Sequence, residues 1–475
     1  MEAPPGFREP RALISAFLAI AAGGGLRIWM LRKFFEVNGD SQIYGGMAKN
    51  LLWQGRYAVS DGAGVLHPTL IRLPGYPLFL ALCFRLFGME NYFAAACLQI
   101  LLEILGCFLL AMAAWRISPP AFRVPAAHAT LWLAALCPFT AIYAAEPLAE
   151  APTLFAIALA LWSLVRYQDK SGWGSALAFT FAVTYAALLR PDGALVGAAL
   201  LLPMVFAVRQ QTRTAGQAAG DSRRAHQRKL LVCLLLALAP FAIWTVRNWS
   251  VFHVFQPLAP RYATDPGENT WPGWQSWVKT WSLDFISTYQ IYWSMPGSPI
   301  DIKQLPSRAI DTPAQQAATA KLLADYDSNG DEMSPELDVR FAQLADERIA
   351  AHPLRSRLCL PLGRMADMWV RPRVENLPID LDWWEYKHHH VETRFSWFYA
   401  GLNVFYLLLG LAGLLLRPRL GRWMLLYMVL RSALLCTIEA PEARYTLECF
   451  PILFVLGGVA LGRLFSHRPA QARAA

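Results

Sequence analysis

Charge is scarce in this chain of 475 residues, of which 16% are charged and 55% apolar. Soluble domains carry about 25% charged residues, so an ordinary water-soluble globule is excluded. A disulfide framework is also missing. Cys97, Cys107, Cys137, Cys233, Cys436 and Cys449 fall inside apolar runs, and only Cys83 and Cys359 lie elsewhere. Internal repeats are absent, and Glu103 is the one acid near the middle of an apolar run, where it is expected to face a bundle interior. Secondary transporters are commonly built from repeated halves with polar residues at the bilayer midplane. Both absences therefore weigh against the rival reading, a transporter or flippase of a lipid-linked or small polar substrate.

What is there is apolar sequence in long runs. A spanning helix needs about 20 mostly apolar residues, since the bilayer core is about 30 Å thick and a helix rises about 1.5 Å per residue. Ten runs approach that length, at 12–31, 94–115, 127–145, 150–166, 172–189, 192–208, 230–246, 396–416, 421–438 and 445–464. The chain reads as an all-α polytopic membrane protein of about ten transmembrane helices with an α-rich extracytoplasmic domain. Basic loops stay on the cytoplasmic side. Arg8, Arg11, Arg116, Arg123, Arg166, Lys170, the stretch from Arg209 to Lys229, and the stretches 417–422 and 463–473 alternate accordingly, which puts both termini in the cytoplasm. This topology accounts for most of the net charge of +9, so no nucleic-acid partner is implied. The first run ends in the small residues "AIAAGGG" but is long for a signal-peptide core, and it is expected to be an uncleaved anchor.

Three parts follow: an N-terminal transmembrane module 1–246 that includes the outer loop 32–93, an extracytoplasmic domain 247–395, and C-terminal transmembrane helices 396–475. In the outer loop, "DSQIYGGMAKNLLWQG" spaces Ile43, Met47, Leu51 and Leu52 as an amphipathic surface helix. Asp40 stands at its start, where a carboxylate serves as an N-cap. Four arginines stand where extracytoplasmic run ends should be poor in them: Arg72 in "RLPGYP", Arg190 in "LLRPDG", Arg247 in "WTVRNW" and Arg444 in "EAPEARYTLE". Each alone reads as a side chain snorkelling to headgroups. Together they suggest a site for a phosphate at the bilayer surface. Glu146 and Glu150, in "YAAEPLAEAP", lie at the same level in a turn otherwise free of charge.

Two other stretches stand apart. "DYDSNGDEMSPE" fits a calcium-loop expression, with Asp325, Asp327, Asn329, Asp331 and Glu336 as ligands of a divalent cation. Against it, Glu332 occupies a position that is normally apolar, Pro335 disturbs the exit, and no second loop of the kind is visible. The alternative is a polar turn with Ser334 capping the next helix. His388, His389 and His390 are consecutive, so their side chains diverge and a surface tract is expected rather than a metal site. Trp383 and Trp384 suit either interfacial anchoring or contact with an acceptor.

These motifs, in this order, resemble the membrane-embedded glycosyltransferases of the GT-C superfamily, specifically family 39-like enzymes related to protein mannosyltransferases and aminoarabinose transferases. The likeness is carried by "GDSQIYGGMAKNLLWQGRY", "RLPGYPLFLAL", "EPLAEAP", "LLRPDG", "WTVRNW", "PLAPRYATDPGE" and "EARYTLECFPILFVLGG", and it covers most of the chain. It implies a sugar transferred, with inversion, from a polyprenyl-phosphate donor to a lipid, glycan or protein acceptor at the outer face of a bacterial inner membrane. Asp40 occupies the place of the family's catalytic base. Where the family commonly has Asp-Glu, this chain has Asp40-Ser41, and Glu146 would supply a second carboxylate. Arg72, Arg190, Arg247 and Arg444 would hold the lipid phosphate. Tyr44, Tyr76, Glu150, Asn248, Arg261 and Tyr445, all within those motifs, would line the substrate site.

Overall fold

The computed structural model describes residues 9–37, 39–213, 219–382, 384 and 389–466. The chain divides into two compact units, one formed by Met1–Gly267, Phe405–Met428 and Leu447–Ala475, the other by Glu268–Val404 and Val429–Thr446. Both are helical; the strands among the described residues are β1 (Ala58–Ser60) and β2 (Leu66–Pro68), an antiparallel hairpin.

The first unit holds α1 (Pro10–Phe34), α2 (Gly39–Gln54), α3 (Gly75–Phe87), α4 (Tyr92–Ile117), α5 (Arg123–Ala135), α6 (Pro138–Ala145), α7 (Glu150–Asp169), α8 (Trp173–Leu189), α9 (Ala194–Arg213) and α10 (Ala219–Phe252). Local chemistry sets the ends. Asn91 caps α4 by accepting from the amide of Ala94 at 3.0 Å, and α4 stops at Ile117, two residues before Pro119. Between α5 and α6 the chain bends by 50°, at a point where Pro138 has no N–H to continue the ladder.

That bend leaves carbonyls at the end of α5 that a membrane interior cannot hydrate. Side chains satisfy them. Arg27 of α1, fully buried, donates Nη1 to Ala135 O at 2.6 Å and Nη2 to Ala134 O at 3.3 Å, and Tyr406 donates its hydroxyl to Leu133 O at 3.0 Å. The guanidinium charge is balanced by Glu103 of α4, 2.7 Å from Nε. Glu103 thus faces the bundle interior as its place in the second apolar run implied.

The second unit contains α11 (Pro272–Lys279), the single turn α12 (Phe285–Ser287), α13 (Pro313–Ser328), α14 (Pro335–Ala351) and α15 (Leu360–Val370). Its core is aromatic: Trp274, Trp277, Trp281, Tyr326 and Phe341 are buried together, with Trp277 and Trp281 edge to face at 5.2 Å. Asp338 of α14 accepts from the amides of Gly273 and Trp274, satisfying two free donors at the start of α11. Helices α16 (His390–Leu415) and α17 (Gly421–Leu435) pass from one unit to the other, and α18 (Phe450–Ser466) packs on α5 in the first.

The helical, multi-pass membrane class is borne out, but ten spans are not. Among the described residues five helices are long and apolar enough to cross a membrane, Pro10–Phe34, Tyr92–Ile117, Arg224–Phe252, His390–Leu415 and Ala443–Ser466, or six if the bent pair α5 and α6 is one span. Several apolar runs end as shorter helices: α8 has 17 residues and α17 has 15. At about 1.5 Å per residue these reach less than the full hydrocarbon thickness.

Candidate functional site

The "RLPGYP" motif forms the turn into α3, and its glycine is required by a close approach. A Cβ on Gly75 would stand 2.5 Å from Leu188 O and 2.7 Å from Leu189 N, so only glycine lets α3 start against the end of α8, one residue before Arg190. The contact is consolidated by a buried cluster in which Tyr44 and Ala48 of α2 meet Tyr76, Leu80 and Ala81 of α3, Ala149 and Leu189. Tyr44 and Tyr76 stand edge to face at 5.0 Å.

This packing places Asp40 beside Arg72. Helix α2 begins at Gly39, so Asp40 lies inside its first turn and not at the cap, and its Oδ1 accepts from Arg72 Nη2 at 2.7 Å. Both side chains keep about a quarter of their surface exposed. Tyr44 lies within reach of the charges of Arg72, Asp40, Glu150 and Arg190; burial is the main cause that pushes its hydroxyl up to about 12. It is therefore a protonated donor at neutral pH.

Arg247, near the end of α10, is tied to the same loop. Its Nη1 donates to Thr69 O and its Nη2 to Tyr57 O, each at 2.7 Å, while the hydroxyl of Tyr57 donates to Arg72 O at 3.0 Å. The rings of Tyr57, Trp244 and Phe252 surround its guanidinium at 5.2–5.5 Å. Its hydrogen bonds go to neutral oxygens, and among the described residues Asp265 is the acid whose charge acts on it, without a direct ion pair. Asn248 is fully buried and structural in its contacts, donating to Gln256 O at 2.8 Å. In "PLAPRYATDPGE", Arg261 stacks over Tyr262, and Asp265 accepts from the amide of Leu70 at 2.7 Å, fixing the segment that leads to Arg72.

Arg190 has a different environment. It meets three carboxylates: Glu150 at 2.8 Å, Glu448 at 3.2 Å and Asp192 at 3.3 Å. Glu150 and Glu448 are buried. A phosphate approaching Arg190 would face an excess of negative charge, so this arginine organises the acids of "EPLAEAP", "LLRPDG" and "EARYTLE". Glu146 lies just beyond α6, half-buried, in the turn leading to Glu150. Arg444 and Tyr445 belong to the second unit, where both engage Glu442; Arg444 Nε stands 2.6 Å from its carboxylate.

The calcium-loop residues are not gathered. Helix α13 runs on through Asp325 and Asp327 to Ser328, Asp325 pairs with Arg340 at 2.7 Å, and Asn329 donates to Glu332 O. Asp331 occupies a left-handed position with φ of 61°, and Glu336 lies in the first turn of α14, which Ser334 caps by accepting from the amide of Leu337. Among the described residues no three His, Cys, Asp or Glu side chains converge as metal ligands. The Arg340 partner holds Asp325 on the helix through the first half of the expected loop. Trp383 and His388 lie outside the described residues.

Residues 67–244 match the family described as dolichyl-phosphate-mannose-protein mannosyltransferase. The resemblance read from the motifs is borne out. The matched segment contains Arg72, Tyr76, Glu146, Glu150 and Arg190. No curated protein matches. Among solved structures, ArnT from Cupriavidus metallidurans bound to undecaprenyl phosphate is 17% identical, with a TM-score of 0.39, over 94% of this chain and 77% of that one. The archaeal oligosaccharyltransferase AglB from Archaeoglobus fulgidus is 12% identical, with a TM-score of 0.49, over 97% of this chain and 51% of that one. Arabinosyltransferase EmbB from Mycobacterium smegmatis is 13% identical, with a TM-score of 0.37, over 98% of this chain and 42% of that one.

Four further residues that the structure singles out are not marked by the motifs themselves. Asp192 and Glu448 sit inside quoted motifs beside the arginines chosen there. Arg27 and Gln99 are polar residues within apolar runs, and that rarity was the available signal.

Proposed function

We propose that this protein is an integral membrane glycosyltransferase that moves a sugar from a polyprenyl-phosphate carrier to an acceptor hydroxyl, with inversion, at the extracytoplasmic face of a bacterial inner membrane. The observation that carries this reading is Asp40, a partly exposed carboxylate held at 2.7 Å by Arg72, with Arg247 tied to the same loop. As the acceptor oxygen bonds to the anomeric carbon, its proton passes to Asp40 and the bond from that carbon to the phosphate oxygen breaks. The departing electron pair stays on the phosphate, where Arg247 and Arg72 stabilise the charge. Arg247 is the stronger candidate, because its hydrogen-bond partners are neutral carbonyl and amide oxygens. Tyr44 supplies a neutral hydroxyl beside the reacting groups. Glu146 is the second carboxylate.

Purified protein offered a panel of polyprenyl-phosphate sugars tests the reading directly. Release of polyprenyl phosphate coupled to acceptor glycosylation is the expected result. Vesicles in which the protein moves a lipid-linked sugar between leaflets without transferring it would establish the flippase instead.

A further inference from the structure

Gln99, on α4, is fully buried in a helix that is otherwise almost wholly apolar. A polar side chain in such a place is costly unless each of its groups is used. Both ends of this amide are used. Its Oε1 accepts from the Tyr76 hydroxyl at 2.5 Å, and its Nε2 donates to Glu146 O at 2.6 Å and Ala144 O at 3.4 Å. The turn after α6 needs that donor. Pro147 has no N–H, and the amide of Leu148, four residues beyond Ala144, turns back to Glu146 O at 2.8 Å, so no continuing helix serves the Ala144 carbonyl.

The two ends of Gln99 therefore hold two separate motifs. One is "RLPGYP", whose Tyr76 ring supports Tyr44 beside Asp40 and Arg72. The other is "EPLAEAP", which carries Glu146 and, four residues on, Glu150 in its ion pair with Arg190. We propose that Gln99 is a positioning residue for sugar transfer, a single amide that fixes the Glu146 turn relative to the Tyr76 and Asp40 side of the site. It touches neither substrate nor reacting atoms. The inference rests on the glycosyltransferase reading for its kinetic consequence and on geometry alone for the contact.

Two measurements on the full-length protein separate these halves. In Gln99→Met, which keeps the side-chain length without either polar group, hydrogen exchange at residues 144–150 should rise by about tenfold while the 58–68 hairpin is unchanged. In steady-state transfer the same variant should lose about 10- to 100-fold in kcat, the scale of a small misplacement, with donor KM within about threefold of wild type. Gln99→Leu, which also lacks both polar groups in a more compact side chain, should reproduce both effects if the methionine variant does not fold. Tyr76→Phe leaves the Glu146 bond intact and should change exchange at 144–150 little. Unchanged exchange in both Gln99 variants overturns the contact. Wild-type kcat, or a loss carried by donor KM alone, overturns the positioning role. A wild-type protein that transfers no sugar from any donor overturns the glycosyltransferase reading itself, while the exchange result still decides the contact.

Discussion

Two arginine–carboxylate pairs in the first unit have the same separation, 2.7 Å, in opposite surroundings. Arg27 and Glu103 are almost wholly buried, and the arginine spends its remaining donors on carbonyls of Gly23, Ala134 and Ala135. The remaining Arg27 donor contact is to Cys107 Sγ at 4.0 Å, whereas Asp40 and Arg72 each keep about a quarter of their side-chain surface open. A buried pair whose arginine is used up by internal partners holds helices together and is closed to a ligand, even though Glu103 Oε1 has no hydrogen-bond partner among the described residues. An open pair contributes little to stability, because water screens it, but a substrate can reach it. The distance between charges does not separate structural from chemical roles; access and the identity of the other partners do.

The largest expected effect is on the open pair. Asp40→Asn should leave the thermal midpoint within a degree or two of wild type and lower the transfer rate by about 10²- to 10⁴-fold, the usual cost of losing a general base. Near wild-type turnover in that variant would move the base to Glu146 or end the enzyme reading. The buried pair should respond the other way. Glu103→Leu strands the Arg27 charge and is expected to destabilise by about 3–5 kcal/mol, seen as a lowered unfolding midpoint in detergent, with the folded fraction still active. Replacing both partners, Arg27→Met with Glu103→Leu, should recover part of that loss.

A smaller effect is expected at Arg247. Its replacement by Ala should weaken donor binding by about 10- to 100-fold, the worth of one charge-assisted hydrogen bond, measured by titration with the phosphorylated carrier. Arg190→Ala should weaken it less, since three carboxylates already surround that side chain. The reverse ranking would exchange their roles. The smallest effect concerns the second unit: Asp325→Ala breaks an exposed pair with Arg340 and should cost less than about 1 kcal/mol. Added calcium should not raise the unfolding midpoint, and a calcium-dependent rise would restore the metal loop.

Much of this contrast was legible in the sequence. Long apolar runs with sparse charge imposed helices in a membrane, and prolines and glycines at "RLPGYP" and "LLRPDG" marked the turns that carry Arg72 and Arg190. Glu103 advertised itself by its apolar surroundings. The partners were not legible, because pairings such as Arg27 with Glu103 or Arg190 with Glu448 join residues 76 or more positions apart, and one-dimensional spacing says nothing about which distant helices meet. Asp40 illustrates the limit well. Its position suggested a cap, but Gly39 already opens the helix, and the carboxylate turns to an arginine 32 residues further on. The calcium expression meets a related limit, since spacing alone cannot tell a loop from a helix that runs through its first acids.

The break between α5 and α6 also constrains which residues α1 can carry. A Cβ on residue 23 would come within 2.8 Å of both Ala135 Cβ and Ala135 O, so any residue larger than glycine wedges α1 away from the carbonyls that Arg27 reaches. Positions 23 and 27 are therefore a linked choice. In descendants of this gene the pair should be kept or abandoned together, and a lineage that straightens the helix at 136–138 should be free to lose both.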